Sequence, residues 1–212
     1  MTAVLPDAVK NALLDSAVAA GLNPATPFLA LHTGFPPTYN PGNEVTGGAP
    51  AYARKAFTWS AAAAGARSIS AAQTFDVPAT TVRVVSVADS ASGAATLRAW
   101  SPAGASARRA FSVDAADVTA NTITSAGHGL VNGNSVLVWA TIGAALPTGL
   151  AEDTEYFVVG AATDTFQLSA TLGGAAINIT AIGDGDVQKF TPEVFAAQGT
   201  YQVSTFTVTL PG

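Results

Sequence analysis

The chain has no cysteine, one methionine and two histidines in 212 residues. Without cysteine there is no disulfide and no thiolate site, and the redox compartment stays open. Two histidines alone do not supply the three or four ligands of a zinc-type centre, so no metal site is assigned. Charge is also scarce. Asp, Glu, Lys and Arg make up 11% of the chain, against roughly 25% in an ordinary soluble domain. Ser, Thr, Gly and Ala, or neighbouring subunits, must cover the surface instead. The net charge of -5 argues against nucleic acid as a partner, because affinity for phosphate backbones comes mainly from Lys and Arg. Long apolar runs are missing too. The most apolar stretches are Ala-rich and are broken by Gly, Ser or Arg well before about 18 residues, so no membrane insertion is expected. No basic segment precedes an apolar one at the N-terminus, so export through a secretory signal is not expected either.

What is present reads mostly as strand and turn. The length suits one large β domain or two smaller ones. One helix is predicted over residues 6–20, in "LPDAVKNALLDSAVAAG". Leu5, Val9, Leu13 and Ala17, with Leu14 and Val18 beside them, form one apolar stripe. Pro6 and Asp7 suit its first turn and Gly21 its end. After it, "PFLALHT" alternates, and "YARKAFTW" places Ala53, Lys55, Phe57 and Trp59 on one face. "TTVRVVSVAD" is a β-branched run that suits a central strand. "AATLRAW", "NSVLVWA", "EYFVVG", "DTFQLS", "AINIT" and "GTYQVSTFTVTL" complete the strands. Pro36-Pro37, Gly47-Gly48, Asn132-Gly133, Gly173-Gly174 and Asp184-Gly185 mark turns. Many short strands at near-regular spacing indicate a sandwich or barrel. The chain divides near residue 112, and Asp114 to Asp186 has its own strands and turns. In the last strand the apolar phase changes near Ser204, from Tyr201 and Val203 to Phe206, Val208 and Leu210. A bulge, or burial on both faces, would account for that change.

Several stretches carry a resemblance. "DAVKNALLD", "ALHTGFPP", "GNEVTGGAPAYARKAFTW" and "FDVPATTVRVVSVADSASG" resemble a module recurrent in tailed bacteriophages and prophages, especially of actinobacterial hosts, usually labelled a tail-fibre-like, minor tail or virion protein. Its pattern is a short helix, a strand ending in Leu31-His32-Thr33, a loop closing on Asn43-Glu44-Val45-Thr46-Gly47-Gly48, and a Tyr52-Ala53-Arg54 strand. Its closing piece is similar to "VFAAQGTYQVSTFTVTL". The chain departs from the family at Ser86-Val87-Ala88-Asp89, where Gly-Leu-Trp-Asp is common. Between the two pieces, "SAGHGLVNGNSVLVW…DTFQLSATLGG" resembles a separate small β module of phage fibre and tail proteins. The resemblance implies a mainly β protein. Residues 1–112 with 190–212 would form a β-sandwich or jelly-roll-like domain with one N-terminal helix. Residues 113–189 would form an inserted small β-barrel or β-sandwich. The joins near Val113 and Lys189 should then lie close together.

His32 and Glu44, flanking a Pro/Gly-rich loop, invite a catalytic or metal-site reading. No third partner accompanies them, and no Gly-x-Ser-x-Gly occurs. The expectation is structural: His32 bonds the loop backbone, and Glu44 satisfies backbone donors or pairs with Arg54. His128, before Gly129-Leu130, is expected to stabilise a turn. "AEDTEY" at 151–156 and "GDGD" at 183–186 lack the spacing of a calcium loop and read as solvated turns. Trp59, Trp100 and Trp139 suit core or subunit packing better than sugar platforms. Arg108-Arg109 could dock an acidic partner or face solvent. No carboxylate pair stands out as a glycosidase acid and base. No catalytic, cofactor-binding or metal-binding residue is therefore assigned. The reading is a non-enzymatic structural protein of a tailed-phage virion, made in the host cytoplasm and located on the tail or capsid surface. It would assemble symmetrically with other virion proteins as a tail-tip or fibre-associated minor tail protein, or as a capsid decoration. A homo-oligomer is expected, a trimer or copies on a lattice. The alternative is a receptor-binding module contacting host cell-surface glycan.

Overall fold

The computed structural model describes residues 6–15, 26–35, 42–141 and 143–209. The chain forms two compact units, Met1–Ala103 with Pro192–Gly212, and Gly104–Thr191. The first, the main unit, begins with helix α1 (Asp7–Asp15) and strands β1 (Phe28–His32), β2 (Lys55–Ala56), β3 (Ala66–Ser68), β4 (Gln73–Val77), β5 (Thr80–Val82), β6 (Val84–Ala88) and β7 (Leu97–Pro102). The second holds β8 (Arg109–Val113), α2 (Ala115–Ala120), β9 (Ile123–Thr124), β10 (Ser135–Ala140), β11 (Tyr156–Val159), β12 (Thr165–Ser169) and β13 (Gly183–Phe190). The chain then returns to the main unit with β14 (Glu193–Phe195), β15 (Gly199–Val203) and β16 (Thr207–Thr209). The protein is mainly β, as the strand pattern predicts.

Four strands of the main unit form a sheet in the order β2-β1-β6-β7. The two central strands are buried along nearly their whole length, β1 from Leu29 to His32 and β6 throughout. That burial explains why "VVSVA" reads as an unbroken run instead of an alternating one. The other strands pair as β16 with β3, β15 with β4 and β14 with β5, all antiparallel. Thr207 faces Ser68, Tyr201 faces Phe75 and Phe195 faces Thr80. The nesting makes one long two-stranded ribbon in three pieces, with a one-residue slip between neighbours. The Ile69 N–H, donating to Phe206 O at 3.1 Å, spans the first gap. Pro78, which has no N–H to donate, lies in the second. The phase change near Ser204 is the first of these slips, and it lies between β15 and β16. Phe75, Val77, Tyr201, Val203 and Phe206 carry the ribbon into a core shared with Leu29, Leu31 and Val87.

Several local expectations need correction. Helix α1 does not bury the Val9–Leu13 stripe. Those residues are 43% and 42% exposed, whereas Leu14 and Lys10 are 2% and 8% exposed. Polar contacts set this rotation. Asn11 accepts from Gly65 N–H, Asp15 accepts from Ala62 N–H, and the Arg67 guanidinium donates to Leu14 O. Residues 10, 11, 14 and 15 therefore form the docked face. Leu5, Ala17, Val18 and the expected span beyond residue 15 lie outside the described residues. The "YARKAFTW" strand contracts to Lys55–Ala56. "AINIT" forms no strand, because its N–H groups go to Leu168 O, Asn121 Oδ1 and Thr148 O, not to one neighbouring strand.

The second unit is a closed barrel, β10-β11-β12-β9-β8-β13. Alternate residues point inward: Phe111 and Val113, Val136 and Val138, Tyr156 and Val158, Phe166 and Leu168. The first barrel strand starts at Arg109, ahead of the division expected near residue 112. The chain enters and leaves side by side, with Ser106 N–H donating to Lys189 O at 2.8 Å. "GDGD" is not a turn but the start of β13, paired with β8 and β10. Gly185 is required there, since a Cβ would lie 2.4 Å from Trp139 O and 2.7 Å from the Phe111 ring. Helix α2 went unread in the sequence. Asp114 and Asp117 form its capping box, and Asn121 closes it in the left-handed region at φ 54°. The Asp-x-x-Asp spacing was its signal. Among the described residues no helix is long and apolar enough to cross a membrane.

Candidate functional site

His32 and Glu44 do meet. Their backbones form an antiparallel bridge, flanked by Thr33 N–H to Asn43 O at 2.7 Å and Val45 N–H to Leu31 O at 2.9 Å. The bridge brings the two ends of the loop together, and residues 36–41 lie outside the described part. The two side chains then turn to different partners.

His32 ends β1 and Ser86 lies in β6. Ala30 faces Ser86 and His32 faces Val84, so His32 and Ser86 are diagonal neighbours across the pair. The His32 Nε2 is 2.7 Å from Ser86 Oγ, and Nδ1 is 3.0 Å from Gly42 O. A carbonyl can only accept, so Nδ1 carries the proton and the Ser86 hydroxyl donates to Nε2. Burial lowers the imidazole pKa, opposed by the Gly42 carbonyl and the Glu44 charge and assisted by Arg54. The ring is therefore neutral at neutral pH. A serine hydroxyl on a neutral imidazole is also how a nucleophile and its base are arranged. Here both residues are 0% exposed. Ser86 sits in the middle of β6, so the pair satisfies the hydrogen-bonding needs of two buried polar side chains.

Glu44 turns toward Arg54. The Arg54 Nε donates to Oε1 at 2.8 Å and Nη2 to Oε2 at 2.7 Å, a bidentate pair. Arg54 also donates to Ser90 O at 2.9 Å and Gly93 O at 3.0 Å, binding the β6–β7 turn. Tyr52 completes the cluster. Its hydroxyl donates to Glu44 Oε1 at 3.2 Å and accepts from Leu31 N–H at 2.9 Å. The bond to Glu44 raises the Arg54 pKa, and burial raises that of Tyr52. The cluster ties the loop at 42–54, the sheet and the β6–β7 turn together. Sequence reasoning anticipated the Glu44–Arg54 pair and missed Tyr52 and Ser86. A serine inside a run of buried valines was the available signal, because a buried hydroxyl needs a partner.

The other candidates are dispersed. The His128 Nδ1 accepts from Leu130 N–H at 2.9 Å, Nε2 lies 3.3 Å from Thr165 O, and the ring stands edge-on to Phe166. It holds the turn that was expected of it. Glu152, in the acidic 151–156 turn, accepts from Ala140 N–H. Trp59 packs against Phe57 and Phe206, Trp100 lies 6.0 Å from Phe35, and Trp139 is covered by the Arg108 guanidinium at 3.8 Å. All three are half-buried. Among the described residues no group of three His, Asp or Glu could hold a metal ion.

Comparison with known proteins gives one positive result. The family model described as podophage GP4 fiber I protein gp80 matches residues 4–126. No curated protein and no solved structure matches the chain.

Proposed function

Because the chain belongs to the family of podophage GP4 fiber I protein gp80, a virion protein family of fibre type, we propose that it is a non-enzymatic structural component at the tail tip or fibre. Capsid decoration is the less favoured placement, since the family description names a fibre. The observation that carries the non-enzymatic part is the sealed His32–Ser86 pair. The residues that most resemble a catalytic dyad are wholly buried.

Assembly with other copies draws on a second observation. Large apolar side chains face outward at Val194 (72% exposed), on β14 of the main unit. Val9 and Leu13 do so on α1. Symmetric homo-oligomers commonly cover such side chains. Averaged images of particles, with the protein labelled at one terminus, test the placement. Label at the tail or fibre is expected, and particles without the protein would overturn the reading. Sedimentation of the free protein tests assembly. A concentration-independent monomer that also fails to bind particles lacking it would count against that part. Host-glycan contact through stacked tryptophans is not favoured, because each tryptophan is half-buried.

A further inference from the structure

The barrel unit carries only three cations, Arg108, Arg109 and Lys189. Arg108 lies over Trp139. The other two occupy one end of the barrel. Phe111 and Val113 point inward on β8, and the same parity reaches Arg109. Val187 points inward on β13, and the same parity reaches Lys189. Arg109 faces Val187 directly. The inward rows thus change from apolar to cationic at the mouth. Arg109 and Lys189 line a cavity of about 230 Å³ together with Leu130, Val187, His128 and Ser106.

Among the described residues neither Arg109 nor Lys189 has a side-chain hydrogen bond or an ion pair. Two like charges converging on a concave site repel, and an anion between them removes that cost. The surrounding wall is already fixed. Both His128 nitrogens are engaged, and Ser106 is held by its N–H to Lys189 O and by Gln188 Nε2 donating to its carbonyl at 2.6 Å. The cavity is smaller than the roughly 300–1,000 Å³ of sites for drug-sized ligands. The mouth of a β-barrel is a usual place for such a site.

The geometry points to an oxyanion-binding subsite at this barrel mouth, where Arg109 and Lys189 hold the carboxylate or phosphate of a ligand of monosaccharide size. The planar guanidinium of Arg109 suits two oxygens of one group, and Lys189 adds a point charge. Leu130 and Val187 offer apolar lining to the rest of the ligand. The subsite goes beyond the virion role, which stands or falls separately.

The test is a titration of the full chain at low salt, followed by amide chemical shifts. The probes are glucuronate, glycerol phosphate and, as the neutral control, glucose. Saturable shifts near residues 128–130 and 187–189 are expected with at least one anion and not with glucose. A response to glucuronate alone would assign an acidic sugar, and one to glycerol phosphate alone a phosphate-bearing ligand. Arg109→Gln with Lys189→Gln should weaken binding at least tenfold, with the melting temperature and Trp139 fluorescence unchanged. On the wild type, added salt should weaken it progressively. Absence of saturation with both anions, equal binding of glucose, or affinity unchanged in the double variant would overturn the proposal.

Discussion

Replacing Glu44 by alanine should destabilise the main unit by about 3 kcal/mol, the low end of the range for leaving one member of a buried ion pair without its partner. The geometry sets that figure. The Arg54 side chain is 4% exposed and that of Glu44 is 17% exposed, so little solvent screens the pair. Loss of the carboxylate removes both charged bonds to Arg54 and the acceptor for Tyr52. Arg54 keeps the Ser90 and Gly93 carbonyls, which holds the cost below the upper end. In a Trp139→Phe background the remaining tryptophans, Trp59 and Trp100, both report on the main unit. Urea unfolding followed by their fluorescence gives the free energy directly. Pairing Glu44→Leu with Arg54→Met should recover much of the loss, because an apolar pair leaves no stranded charge. A loss below about 1 kcal/mol for Glu44→Ala, or a double variant worse than the two singles combined, would refute the claim that this cluster holds the loop to the sheet.

Removing residues 192–212 should abolish the cooperative melt of the main unit. It takes Tyr201, Val203 and Phe206 from the core at roughly 1.5–3 kcal/mol each, close to the ~5–15 kcal/mol stability of a whole domain; a retained calorimetric transition for that unit would contradict the pairing. His32 has a lowered pKa in the folded state, so the unfolded chain binds the proton first. Its contribution is present above the unfolded value of about 6.5 and is lost as pH falls below it. His32→Gln should flatten that acid limb of stability measured against pH, and an unchanged limb would assign it to other groups. Ser86→Ala should cost roughly 1–3 kcal/mol by orphaning Nε2 in a denaturant titration. The wild-type protein should release no reducing sugar or free amine from host cell walls, and hydrolysis lost in Ser86→Ala with the fold intact would reverse the structural reading of the pair.

In the barrel the legible parts were β8 and β11, whose buried and more exposed residues alternate, and the turn at Asn132-Gly133, closed by Asn134 N–H to Val131 O. In the main unit the legible signals were the β-branched run of β6 and the phase change at Ser204. The rotation of α1 was hidden because its docked face is set by Asn11, Asp15 and Arg67 binding backbone groups, which leave no trace in an apolar periodicity. The role of Gly185 was hidden for a related reason. Its need comes from the Phe111 ring on a neighbouring strand, while the local sequence "GDGD" signals a turn. In the polar cluster, charge complementarity made Glu44 and Arg54 readable. Tyr52 and Ser86 depend on register across strands far apart in the chain.

The nested ribbon bears on the order of events during synthesis. Strands β3 to β5 leave the ribosome early, but their partners β14 to β16 follow only after the whole barrel. At about 5–20 residues per second the wait is on the order of ten seconds. The barrel pairs only strands of its own contiguous stretch, so it can close while the earlier segment still holds Phe75 and Val77 without partners. A nascent chain of this kind depends on the speed with which its final strands arrive. Rare codons or pauses within residues 104–191 would lengthen exposure of an unpaired edge, a known route to aggregation, and lower the yield of folded protein without altering a single native contact.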